Sequence, residues 1–248
     1  TYLSDNSNSV VDVSVTILPQ DWAKVAAEKI AAATQLNASD ILNAWNDDAY
    51  LSTLIQDYSV LTPEILNSNT NVKLEGYIYP ETYRFYKDSS IDQVTRKILD
   101  QTQSIYESLK NEFDQSALSV HGVFTLASIV GFEASDDVNQ KLIAGVFYNR
   151  LAIDMRLQSS VTVCYALYDY SHWRDCETNP TLDSPYNTYV YRGLPVGPIM
   201  NPTYSVLKAT LEPTTSDYFY FLADVTTGKV YYQKTYEEHL QDKEKYIQ

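Results

Sequence analysis

The sequence predicts an α+β fold: a small N-terminal subdomain followed by a larger mixed α/β part. Three patterns carry this. An alternating β-branched stretch near the start gives way to runs with helical spacing. An aromatic, loop-rich region fills much of the second half. A hairpin pattern and a charged helix then close the chain.

Residues 1–10 are polar and read as a flexible linker. They lack an initiator Met, so the chain is expected to be cut from something longer. Residues 11–70 are assigned to the small subdomain. Val11–Leu18 (VDVSVTIL) alternates as a half-buried strand should, and Pro19 ends it. Asp21 is expected to cap a helix through Trp22, Val25, Ala26, Ile30 and Ala33. After a break, Ser39 or Asp40 is expected to cap a second helix carrying Ile41, Leu42 and Trp45.

Residues 71–248 form the larger part. Val72–Phe85 is dense in aromatics and broken by Gly76 and Pro80, so it reads as a turn and a short strand. Ser90 opens an amphipathic helix from Ile91 to about Phe113. Val123, Leu126, Ala127, Val130 and Ala134 share helical spacing, and a further helix covers Val138–Leu151. Glu133 sits near the end of the first of these, among apolar residues. Burial there raises a carboxyl pKa. From Arg156 to Pro202 the chain reads as loop, the kind of long irregular segment that usually carries function. Tyr204–Leu211 reads as helix, Tyr218–Ala223 and Lys229–Gln233 as a hairpin, and Tyr236–Tyr246 as a closing helix.

Composition narrows the function classes. The 32 acidic against 18 basic residues give a net charge of −14, which argues against nucleic acid as a partner. No apolar run is long enough to span a bilayer. The 22 tyrosines against 7 phenylalanines offer apolar faces with polar tips, suited to sugar rings and equally to ordinary packing. Cys164 and Cys176 lack metal-ligand spacing. In an oxidising compartment they either pair, closing a short loop worth about 3 kcal/mol, or remain separate thiols.

Nucleophile and phosphate-binding motifs are missing, and the three histidines, His121, His172 and His239, share no ligand spacing. No metal or other cofactor is expected. What remains is carboxylate chemistry on a substrate gripped by Tyr, Asn and Gln.

Six stretches occur in order: LEGYIYPETYRF (Leu74–Phe85), LASIVGFEA (Leu126–Ala134), IAGVFYNRL (Ile143–Leu151), MRLQSSVTVCYAL (Met155–Leu167), SPYNTYVYRGLPVGPIMNP (Ser184–Pro202) and YFYFLAD (Tyr218–Asp224). Together they resemble the MltG, or YceG-like, endolytic murein transglycosylases. The resemblance implies that residues 11–70 are a LysM-like subdomain and 71–248 the catalytic domain. It implies cleavage of peptidoglycan strands between N-acetylmuramic acid and N-acetylglucosamine without water, leaving 1,6-anhydro ends. It also implies cell-wall elongation proteins as partners. The expected location is the extracellular face of the bacterial cytoplasmic membrane, through a single-pass anchor that this chain lacks.

The family's catalytic acid falls on Glu133, the last acid of a pattern commonly written A-S-[IL]-V-E-K-E. Gly131 and Phe132 replace the earlier Glu and Lys, and Ser160-Val161 stand where Asp-Pro is common. Glu75, Asn149, Gln158, Tyr186, Asn187, Thr188 and Tyr189 are the candidate substrate-binding residues. For each the alternative is a structural role, such as pairing of Glu75 with Arg84 or Arg192. A hydrolytic glycosidase needs two carboxylates, whereas a lytic transglycosylase can work with one. The competing readings are a water-using muramidase, with Glu75 or an aspartate as base, and a non-catalytic glycan-binding scaffold.

Overall fold

The computed structural model describes residues 11–168, 176, 179–224 and 226–246. The expected linker and His172 lie outside the described residues. Strand β1 (Asp12–Thr16) pairs antiparallel with β2 (Thr82–Tyr86), placing Val13 opposite Phe85 and Val15 opposite Tyr83. Val15, Tyr83 and Phe85 are buried while their neighbours in the strands are more exposed, the alternation expected of a one-sided sheet.

Between these strands run α1 (Ala23–Ala33), α2 (Ala38–Ala44), α3 (Asp48–Asp57) and a 3-10 turn, Pro63–Leu66. Asp21 does not cap α1. Its carboxylate accepts from Leu18 N at 2.7 Å and pairs with Lys29, and Trp22 occupies the cap position. The first N–H of α1, on Ala23, instead donates to both oxygens of Glu75 at 3.0 Å. Asn37, rather than Ser39 or Asp40, precedes α2. The two-helix reading of this region also omitted α3, which Asp47 caps by accepting from Tyr50 N.

Helix α4 (Ile91–Ser108) begins with the capping box of Ser90 and Gln93. The single helix expected to Phe113 breaks at Leu109, and α5 (Lys110–Gln115) follows. Trp45 Nε1 donates to Thr95 Oγ1 at 2.9 Å and Tyr58 Oη to Asp100 at 2.8 Å, so α2 and the end of α3 are tied to α4. These bonds and the β1–β2 ladder cross the boundary drawn at residue 70. A cut there would divide a sheet, because the strand completing it comes after the boundary.

Helix α6 (Val120–Glu133) is buried at every residue from His121 to Val130, so it shows no polar face and forms the centre of the larger part. Helix α7 (Asp137–Ala152) and α9 (Tyr204–Leu211) pack against it. Between them α8 (Ser160–Leu167) lies within the stretch read as loop, and Cys164 on α8 is disulfide-bonded to Cys176. Strands β3 (Tyr220–Ala223) and β4 (Val230–Gln233) form the expected hairpin. Helix α10 (Tyr236–Tyr246) rests on that hairpin with no buried residue. Thr235 and Glu238 open it with reciprocal side-chain to backbone bonds. No helix among the described residues is long and apolar enough to cross a membrane.

Candidate active site

Glu133 is the last residue of α6, where Ala134 turns extended. The side chain leaves the apolar helix half-buried and enters a cleft of about 470 Å³. The cleft is also lined by Arg150 of α7, Gln158, Tyr189, and residues of the hairpin and α10, including Tyr220, His239 and Lys243. Among the described residues lining it, Glu133 is the one carboxylate.

Burial raises the Glu133 pKa, while the Ser159 hydroxyl and the charge of Arg150 pull it down. Ser159 Oγ donates to Glu133 Oε1 at 2.6 Å. Desolvation wins, so the acid holds its proton more tightly than in water. Arg150 is itself buried: Nε donates to Phe219 O and Nη1 to Leu157 O, each at 2.6 Å. Its guanidinium lies 5.3 Å from the Tyr220 ring centroid. One side chain thus joins α7, the segment under Glu133 and the start of the hairpin.

The segment carrying Ser159 is held from below. Gln158 has a left-handed backbone, φ 51°, unusual for a residue with a Cβ, and its N–H donates to Thr188 O at 3.1 Å. Ser159 N donates to Thr188 Oγ1 at 3.0 Å. The strained turn at Gln158 therefore aims Ser159 at the acid, with Thr188 as its support.

Of the seven expected substrate-binding residues, Gln158 and Tyr189 line the cleft. The other five are engaged inside the protein. Glu75 is 1 % exposed and binds Ala23 N and the Tyr165 hydroxyl, not an arginine; Arg84 pairs with Asp12 and Arg192 with Asp154. Burial pushes Glu75 up to about 7 despite these donors. Asn149 donates to Ser216 O and Tyr218 O, fixing the approach to β3. Tyr186 is buried edge-on to Tyr165, and its hydroxyl accepts from Asn71 N. Asn187 donates to Pro180 O and Leu182 O and accepts from Tyr189 N, and Thr188 is the support already described. The polar side chains of the Tyr186–Tyr189 loop mostly bond to backbone, which is why the loop presents only Tyr189.

Sequence reasoning missed Ser159, Arg150 and the hairpin wall. An arginine on a helix beside Val146 and Phe147 was the available signal, since a buried guanidinium needs several acceptors. Gly131 and Glu133 point in different directions. A Cβ there would meet Met200 Cε at 3.1 Å and Val206 Cγ1 at 3.4 Å, so position 131 faces α9 and position 133 the cleft.

A second cavity, of about 500 Å³, lies at the β1–β2 edge. Its one carboxylate, Asp12, is ion-paired with Arg84, so it offers no desolvated acid. No group of three or more His, Cys, Asp or Glu among the described residues could hold a metal ion.

The fold and cleft define an α+β protein whose cleft, among the described residues, is lined by one carboxylate, Glu133 at a helix end, and walled by aromatic and cationic side chains. The chain belongs to the YceG-like family, whose model matches residues 2–245. It is 37% identical over 226 residues to an endolytic murein transglycosylase of Bacillus subtilis, covering 89% of this chain and 61% of that protein. An endolytic murein transglycosylase of Streptococcus pneumoniae is 35% identical over 213 residues, covering 82% of this chain and 38% of that protein. The chain thus spans between about two fifths and three fifths of these relatives' lengths. A crystal structure of a yceG-like protein from Listeria monocytogenes superposes with a TM-score of 0.84 at 39% identity, covering 92% of this chain and 75% of that one.

Proposed function

We propose that the chain forms the catalytic part of an endolytic murein transglycosylase, with Glu133 as its single acid and base. Glu133 protonates the glycosidic oxygen between N-acetylmuramic acid and N-acetylglucosamine, and the C1–O bond breaks. The 2-acetamido group of the same sugar stabilises the cation at C1. The Glu133 carboxylate then takes the proton of the C6 hydroxyl as that oxygen bonds C1, closing the 1,6-anhydro ring. Ser159 orients the carboxyl, and Tyr189 and Gln158 contact the strand.

The observation that carries this reading is the desolvated carboxyl of Glu133, the one carboxylate among the described residues lining the cleft. A water-using muramidase needs a second carboxylate across the bond. Glu75, the residue considered for that base, is committed to the start of α1. The relatives' names point to the same polymer. The proposal includes an extracellular, membrane-anchored setting beside cell-wall elongation proteins. The Cys164–Cys176 bond suits an oxidising compartment.

Replacing Glu133 by Gln keeps the shape and removes the transferable proton. Strand cleavage by E133Q is expected to fall at least about a hundredfold, with the melting temperature not lowered. Retained turnover in the folded variant would remove Glu133 from the mechanism.

A further inference from the structure

The hairpin and α10 contribute a wall to the Glu133 cleft that the proposed mechanism leaves unused. Its centre is His239, half-buried on α10 and stacked on Tyr220, with ring centroids 5.4 Å apart at 28°. His239 Nδ1 lies 3.2 Å from Gln233 Oε1. Gln233 Nε2 donates to Asp242 Oδ2 at 2.8 Å.

This chain of contacts fixes where the imidazole proton sits. A carboxylate only accepts, so the Gln233 amide must turn its NH₂ to Asp242 and its oxygen to His239. An amide oxygen also only accepts, so Nδ1 must carry the proton. In the neutral ring Nε2 is then a bare acceptor. Gln233 is buried at the Nδ1 edge of the ring, and the two ring nitrogens point away from each other. Nε2 is therefore turned away from Gln233 and has no partner among the described residues.

We propose that His239 Nε2 is a substrate-contacting acceptor in the cleft, taking a hydrogen bond from a sugar hydroxyl or acetamido N–H of the bound glycan. Gln233 and Asp242 are its positioning residues. The inference rests on the glycan-cleaving reading of the site. Burial and the nearby charges of Arg150 and Lys243 lower the ring's pKa below its ordinary value, against the opposite pull of Asp242. Tyr220 and Tyr236, stacked with the ring, hold its plane.

The test uses two readouts. Long-range proton–nitrogen NMR on the whole chain reads the tautomer: Nδ1 protonated and Nε2 bare is expected, and the reverse overturns the proposal. Binding is then measured on the cleavage-dead E133Q background with purified glycan strands. His239→Phe keeps the stacked ring and removes Nε2. It is expected to weaken glycan binding about tenfold while the melting curve still shows a folded protein. Gln233→Leu leaves the histidine in place but frees its tautomer, so a mixed tautomer and an intermediate loss are expected. Unchanged affinity in folded His239→Phe overturns the proposal and leaves the transglycosylase reading standing. Absence of glycan binding by E133Q itself overturns both.

Discussion

At the scale of single residues, the site turns on a 2.6 Å bond between Ser159 and Glu133. That bond favours the ionised acid, and burial favours the neutral one. The balance lies with burial, so the proton needed for the first step is present at higher pH than for a carboxyl in water. Removing the hydroxyl takes away a group that lowers the pKa. Ser159→Ala is therefore expected to move the alkaline limb of the pH–rate profile upward. It should also cut turnover about tenfold, the scale of one charged hydrogen bond. The pH dependence of strand cleavage checks both, and a downward shift of the limb would contradict the assignment. The position of Glu133 at the end of an apolar helix was legible in the sequence, while its proposed role came from the family resemblance. Ser159 was not, because nothing local to a serine reveals a partner 26 positions away.

Among the elements, the main surprise is how α1 begins. No residue of its own cap satisfies Ala23 N; Glu75, 52 positions later, does so. This carboxyl joins the helix start to Tyr165 of α8, so an acid expected in the cleft works instead as a clasp between distant elements. Its raised pKa has a definite sign for stability. The folded value, about 7, exceeds the ordinary 4.5, so the contribution is complete below about 4.5 and is lost as pH rises through 7. The loss is on the order of 3 kcal/mol. Urea unfolding at pH 5 and pH 8 is expected to show this fall, and Glu75→Gln is expected to reduce it. An equal slope in the variant would place the dependence elsewhere. Helices such as α4 and α7 and the β3–β4 hairpin were readable from periodicity and caps. The β1–β2 pairing was not, since its partner strands lie 66 to 74 positions apart and no turn sets their register. Nor was α8, whose few residues are hidden among loop signals.

For the molecule as a whole, the chain folds so that Glu133 reaches a cleft that no other carboxylate among the described residues lines. The net charge of −14 disfavours approach of anionic polymers to the surface at large, whereas the cleft itself holds Arg150 and Lys243 beside the desolvated Glu133. Family membership and a shared fold fit the proposed reading, and the chemistry of the products is what would separate it from a hydrolase. The most direct test is mass spectrometry of products from purified glycan strands digested in water enriched in heavy oxygen. The expected fragments arise from internal cuts, end in 1,6-anhydromuramic acid, are lighter by one water than reducing-end counterparts, and carry no solvent oxygen. Reducing ends that incorporate heavy oxygen would show a hydrolase and contradict the single-acid mechanism.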